Sequence, residues 1–246
     1  MNLKGRVIVI TGASSGIGEA MARQFGEAGA GVALLARRYE RIEQLANQIN
    51  DKGGHALAIA ADVTDIESIR DAKNKTLQEF GKVDGLVNNA GQMLLSPFEQ
   101  RKVSEWRRMI EINLLGAITT TEVFLEPLLE KGGDIVNISS VAGRKARAGS
   151  SIYSATKWGM NGWSEGLRQE LVGKNVRVIV VEPGAVDTEL SDHISDPNVK
   201  EATKKMYNEV EALTADDIAS ITAFAISQPS RVSINELLIR PSLQQY

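Results

Sequence analysis

Short apolar runs rich in Val and Ile alternate with longer, mostly polar stretches along the chain. The short runs have the character of strands buried on both faces. They predict strands over 6–11, 31–36, 55–60, 85–87, 134–139, 176–181 and 236–239. In the longer stretches apolar residues recur at helical spacing, as Ile17, Ala20, Met21 and Phe25 do. Helices are predicted over 16–28, 40–52, 66–80, 103–130, 151–172 and 215–227. Strands joined by helices need right-handed crossovers, and hence a parallel sheet covered on both faces. No repeat, low-complexity tract or linker marks a second domain, so one α/β domain is expected over residues 1–246. The stretch 184–213 is the least regular and holds Asp187, Asp192, Asp196, Pro197 and Asn198. A long irregular segment of this kind suits a substrate lid.

The first strand runs into Thr11-Gly12-Ala13-Ser14-Ser15-Gly16-Ile17-Gly18. Strand, glycine turn and helix N-terminus together make an anion site, because backbone N–H groups and the helix dipole favour negative charge. The spacing is G-x-x-x-G-x-G rather than G-x-G-x-x-G. A plain tight turn is the alternative, but the place at the first strand of an alternating chain favours a dinucleotide. The second strand ends Leu34-Leu35-Ala36-Arg37-Arg38. An acid there would bind the ribose 2′-hydroxyl of NAD; an arginine accommodates the 2′-phosphate of NADP. The acid is absent, so NADP (NADPH) is expected. The competing reading is a solvated arginine pair opening the next helix.

Tyr153 and Lys157 stand four apart, on one face of the helix predicted over 151–172. A phenol titrates near about 10. A cation beside it favours the phenolate, so the pair reads as a tunable proton donor and acceptor. Such pairs also occur on solvated helices. Asn88-Asn89-Ala90-Gly91 follows the fourth strand, either as a polar turn or as a wall against which a nucleotide lies. Asn113, in an otherwise apolar helix, is a surface or capping residue, or one that bends the helix. Ser139 and Ser140 end the fifth strand, at the edge where open α/β sheets bind ligands.

At 43% hydrophobic residues the chain can bury a sizeable core, and a net charge of −3 leaves no footprint for nucleic acid. The absence of cysteine removes disulfides and thiol nucleophiles, and His55 and His193 are too few for a histidine metal centre. The first apolar run is brief, so no secretory leader is expected, and no apolar run looks long enough to span a bilayer. A cytoplasmic protein with neither a metal nor a membrane partner is expected.

Together the motifs resemble the short-chain dehydrogenase/reductase family over essentially the whole chain. Thr11-Gly12-x-x-x-Gly16-x-Gly18, Asn88-Asn89-Ala90-Gly91, Asn113, Ser140, Tyr153-x-x-x-Lys157 and Pro183-Gly184 stand in the family's order. The resemblance implies a Rossmann-like doubly wound fold with a seven-stranded parallel sheet and helices on both faces. It implies catalysis by Asn113, Ser140, Tyr153 and Lys157. Tyr153 exchanges the proton with the carbonyl or alcohol oxygen, and Ser140 steadies that oxygen. Lys157 holds the nicotinamide ribose and lowers the Tyr153 pKa, and Asn113 holds a relay water. Cofactor contacts are implied for Gly12, Ser14, Ser15, Gly16, Ile17, Gly18, Arg37, Arg38, Asp62, Val63, Asn89, Ala90, Gly91, Tyr153, Lys157, Pro183, Gly184, Val186 and Thr188. Asp62 and Val63 would face the adenine, and Thr188 the carboxamide. Ser15 is not basic, whereas some NADP-dependent relatives carry a cation there.

The expected reaction is hydride transfer between NADP(H) and a small carbonyl or alcohol substrate. The alternatives are a non-catalytic NADP(H)-sensing regulator, a 3-hydroxy acid dehydrogenase working oxidatively, and an epimerase using bound NAD. Several stretches, among them Glu182-Pro183-Gly184-Ala185-Val186-Asp187-Thr188-Glu189-Leu190, resemble a bacterial subgroup of clavulanate-type aldehyde reductases and 3-hydroxy acid (serine) dehydrogenases. Arg144 and Arg147 are either anchors for a substrate carboxylate or solvated loop residues. Met93, Leu94, Ala142, Ala185, Val186 and Leu190 are expected pocket walls. The helix 151–172 is apolar or small around much of its circumference, and Gly159, Gly162 and Gly166 would admit a second backbone. A helix-to-helix dimer is expected, and the resemblance extends it to a homotetramer with help from 237–239.

Overall fold

A computed structural model describes residues 2–245. The strands are β1 (Val7–Thr11), β2 (Gly31–Ala36), β3 (His55–Ala60), β4 (Gly85–Asn88), β5 (Gly133–Ile138), β6 (Val176–Pro183) and β7 (Glu236–Ile239). All pair in parallel, in the order β3-β2-β1-β4-β5-β6-β7. Helices α1 (Gly16–Glu27), α2 (Tyr39–Asp51), α3 (Ile66–Phe80), α4 (Val103–Ile110), α5 (Gly116–Lys131), α6 (Ser151–Glu170), α7 (Pro197–Glu209) and α8 (Ala215–Ile226) complete the doubly wound Rossmann-like fold.

The strand alternation explains why the apolar runs are continuous. Ile8 and Ile10 of β1 enter a core with Met21 and Phe25 of α1 and with Ile218 and Ile226 of α8. Val9 points the other way, into a core with Ile69 of α3 and with Phe124 and Leu128 of α5. Successive side chains of one strand thus serve opposite layers. Each large side chain so buried stabilises the fold by about 1.5–3 kcal/mol.

Three departures from expectation follow from local chemistry. The irregular stretch 184–213 contains α7. Asp196 caps it by accepting from Val199 N at 3.0 Å, and Pro197 occupies the first turn. Residues that punctuate loops here start a helix. The helix predicted over 103–130 is continuous to Lys131, but it widens into a π-turn at Glu111–Leu115, around Asn113. Among the described residues it is the one helix long and apolar enough to cross a membrane by length and composition. Its most apolar window is 56% buried within the protein, and Phe124 and Leu128 pack in the second core, so it is a core helix. Gly159, finally, serves the chain's own packing: a Cβ there would stand 3.0 Å from Leu114, while Gly162 and Gly166 face open space.

Candidate active site

Chain order reverses at β1. β2 and β3 lie to one side and β4 to β7 to the other, so the connections leaving β1 and β4 diverge. Open α/β sheets bind ligands at such a switch point. A cleft of about 310 Å³ opens there.

Its floor is a locked pair of turns. Thr11 Oγ1 accepts from the backbone N–H groups of Asn89 and Ala90 at 3.0 and 3.1 Å and donates to Val87 O at 3.2 Å. Asn89 Nδ2 donates to the carbonyls of Thr11 and Gly12 at 3.0 and 3.2 Å. The turns approach so closely that a Cβ on Gly12 would lie 2.8 Å from Ala90 Cα. A Cβ on Gly18 would lie 2.5 Å from Gly12 O. Gly18 therefore lets α1 close on the turn and does not line the cleft. Gly16 does line it, with a φ of 57° and Thr188 directly opposite. No side chain caps the N-terminus of α1.

Tyr153 and Lys157 lie on the buried face of α6. Lys157 Nζ donates to Ile138 O, at the end of β5, at 2.8 Å and lies 5.7 Å from the Tyr153 ring centroid. Ser140 opens a 3-10 turn at Val141–Gly143, accepting from Ala142 N at 3.1 Å and donating to Pro183 O at 3.4 Å, and lines the cleft together with Tyr153. The expected lowering of the Tyr153 pKa is not what the site produces. Burial pushes the phenol well above its ordinary value, and the Ser140 hydroxyl offsets only part of that. Burial also holds the Lys157 ammonium down to about 8. At neutral pH the phenol is protonated and the amine is mostly charged.

Asn113 does not reach the cleft. It is fully buried in the π-turn, accepting from Gln92 N and donating to Gln92 O, both at 2.8 Å. Widened helical turns often mark functional sites. Here the widening coincides with the side chain that clamps one wall. Arg144 is not available to a substrate carboxylate. Its Nε and Nη2 donate to the two oxygens of buried Glu182 at 2.7 and 2.8 Å, Nη2 also meets Glu236, and Asn161 Nδ2 donates to Glu182 at 2.6 Å. Such a bidentate pair ties the turn after β5 to β6 and β7. Neither Arg144 nor Arg147 lines the cleft.

At the far end, Arg37 stands 3.9 Å from Asp62, and Arg38 reaches Ser14, Ser15 and Glu189. Apart from Gly18, the other implied cofactor residues line the cleft: Val63, Asn89, Ala90, Gly91, Pro183, Gly184, Val186 and Thr188 join Gly12, Gly16 and Ile17. Met93 and Leu190 line it as expected, whereas Leu94, Ala142 and Ala185 do not. Sequence reasoning missed Leu35, Ala36, Ala61, Gln92, Ile112, Ile138, Glu189, His193 and Tyr207 as wall residues. The signal available for Ala36, Ala61, Gln92 and Ile112 was their place next to a residue of a motif.

Comparison with known proteins agrees with this geometry. The family model for short chain dehydrogenase matches residues 6–198. An uncharacterized oxidoreductase of Staphylococcus saprophyticus is 41% identical, covering 99% of this chain and 98% of that one. An alcohol dehydrogenase from the archaeon Thermococcus sibiricus, solved with 5-hydroxy-NADP, superposes with a TM-score of 0.87 at 32% identity, over 98% of each chain. The closed form of a serine dehydrogenase complexed with NADP+ superposes with a TM-score of 0.90 at 33% identity, over 98% of this chain and 96% of that one.

Proposed function

The chain belongs to the short-chain dehydrogenase/reductase family, and on that premise we propose that it is an NADP-dependent oxidoreductase interconverting an aldehyde or ketone with its alcohol. One observation carries the reading. A single cleft holds a buried phenol, a hydroxyl and an ammonium at one end and an arginine pair at the other.

The donors suit the cofactor. Gly16 brings bare backbone to the cleft wall, beside the uncapped N-terminus of α1, where a pyrophosphate is favoured. β2 ends in Ala36 rather than an acid, and Arg37 and Arg38 follow at the cleft, where a 2′-phosphate finds charge-assisted donors. The NADP complexes of two solved relatives point the same way. When bound, NADP supplies or accepts the hydride. The side chains supply placement and the proton. Tyr153, protonated at neutral pH, gives its proton to the carbonyl oxygen as a general acid, and takes it back in oxidation. Ser140 donates to the same oxygen and stabilises the charge that develops there. Lys157 anchors the nicotinamide ribose, and Asn113 keeps the Gln92 wall in place from behind.

On the same reading, 184–213 is the substrate lid, contributing Leu190, His193 and Tyr207 to the cleft. Assembly as a homotetramer accounts for Leu115 and Trp158, each about half exposed, and for the open space beside Gly162 and Gly166. A cysteine-free chain suits the cytoplasm. The test is a panel of aldehydes, ketones, diketones and 3-hydroxy acids, followed at the nicotinamide absorbance with NADPH and NADH. Turnover of none of them with either cofactor would refute catalysis and favour a regulator that senses NADP(H).

A further inference from the structure

Acceptors already surround Arg38. Its Nε donates to Ser14 Oγ at 3.1 Å, its Nη2 to Ser15 Oγ at 2.7 Å and its Nη1 to Glu189 Oε2 at 2.9 Å. Arg41 holds the same carboxylate through both oxygens, at 2.7 and 3.0 Å. Glu189 follows β6 and opens the turn Glu189–His193, so it crosses to Arg38 from another part of the chain. Hydrogen bonds from Arg41 and Arg38 hold its carboxyl below the ordinary carboxylate range, so it is an anion at neutral pH. A carboxylate and a phosphate monoester make the same demand on a guanidinium, a set of anionic oxygens facing its fork.

We infer that Glu189 is a specificity-determining residue for the cofactor, an internal anion that a 2′-phosphate must displace from Arg38 while Arg41 retains it. The inference rests on the NADP reading above. Three guanidiniums, of Arg37, Arg38 and Arg41, stand against two carboxylates, of Asp62 and Glu189. Removing the Glu189 charge leaves the cluster more positive and Arg38 held only by the neutral hydroxyls of Ser14 and Ser15. A nucleotide without a 2′-phosphate has no need of Arg38 and leaves the Arg38–Glu189 pair intact. Glu189 therefore taxes only the phosphorylated ligand. Both partners are 42% exposed, so water screens the pair and the tax is modest.

The test reads binding without turnover. The parent and Glu189→Gln are titrated calorimetrically with adenosine 2′,5′-bisphosphate and with adenosine 5′-monophosphate. Glu189→Gln should bind the bisphosphate about three- to tenfold tighter and the monophosphate within about twofold of the parent, as expected for one screened charge pair. In an Arg38→Ala background the same substitution should recover less than half of that gain on a logarithmic scale, because the contested guanidinium is gone. Unchanged or weaker bisphosphate binding by Glu189→Gln would overturn the inference, since Glu189 would then be supporting Arg38. An equal gain in both backgrounds would also overturn it, since that indicates general repulsion. A parent that binds the two nucleotides equally refutes the NADP reading itself. A parent that prefers the bisphosphate, with an indifferent Glu189→Gln, refutes only the role of Glu189.

Discussion

Replacing Lys157 with Met should separate stability from function and make the separation depend on pH. Met keeps much of the side-chain length and removes the charge. Burial holds the Lys157 ammonium down to about 8 from the ordinary 10.5, so the folded protein binds this proton less tightly than the unfolded chain. Stability rises with pH wherever the unfolded state holds more protons. Below pH 8 both states are largely protonated, and the buried charge costs the parent about 3 kcal/mol. Between pH 8 and 10.5 the folded state releases its proton first, and the cost fades. The variant has no such term. Relative to Lys157→Met, the parent should therefore gain about 2–3 kcal/mol between pH 7 and pH 10. The loss of the 2.8 Å hydrogen bond to Ile138 O shifts the variant's stability at every pH but not this difference. Urea unfolding of both proteins at pH 7 and pH 10, followed by circular dichroism, measures it. A stability difference independent of pH would refute the claim that Lys157 is buried as a charge. Turnover should be lost in the variant at either pH.

Four further outcomes follow. Tyr153→Phe should keep NADPH binding, read by nucleotide fluorescence, and lose about 10²–10⁴-fold in turnover; activity within a factor of two at saturating NADPH contradicts the acid–base role. Arg38→Ala should weaken NADPH binding about ten- to hundredfold and leave NADH nearly unchanged, measured as dissociation constants, since a charge-assisted bond contributes about 1.5–3 kcal/mol. Gly18→Ala should destabilise the fold by about 1–3 kcal/mol in a denaturant titration, because its Cβ would meet the backbone of Gly12. Gly162→Arg should leave the secondary structure seen by circular dichroism unchanged, since no described residue stands beside it, and should lower the mass seen by light scattering; an unchanged mass argues against an interface at α6.

The glycine conformations show how two kinds of information divide. From sequence, Gly12, Gly16 and Gly18 look like one motif with one purpose, close approach of a phosphate. In the fold Gly16 lines the cleft in a left-handed turn and admits Thr188; Gly18 serves the contact of α1 with the turn, and Gly12 both lines the cleft and admits Ala90. Gly159, Gly162 and Gly166 divide the same way, since Leu114 fills the space beside the first. A glycine's spacing announces that something comes close, but not what.

The sequence by itself determined whatever depends on neighbours along the chain. Two-sided burial of Ile8, Val9 and Ile10 made β1 legible, and the i to i+4 relation put Tyr153 and Lys157 on one face of α6. The order of the motifs placed most of the cofactor side of the cleft wall. Tertiary structure decided what depends on distant partners. Arg144 looked free until Glu182, buried 38 positions later, claimed it. Glu189 had no signal of its own, because its meaning lies in Arg38, 151 positions earlier. The Tyr153 phenol was expected to fall in pKa under the pull of Lys157, and it rises because the walls that enclose both residues exclude water. Charge, hydrogen bonding and solvation are set by what surrounds a side chain in space, and no spacing along the chain encodes that surrounding directly.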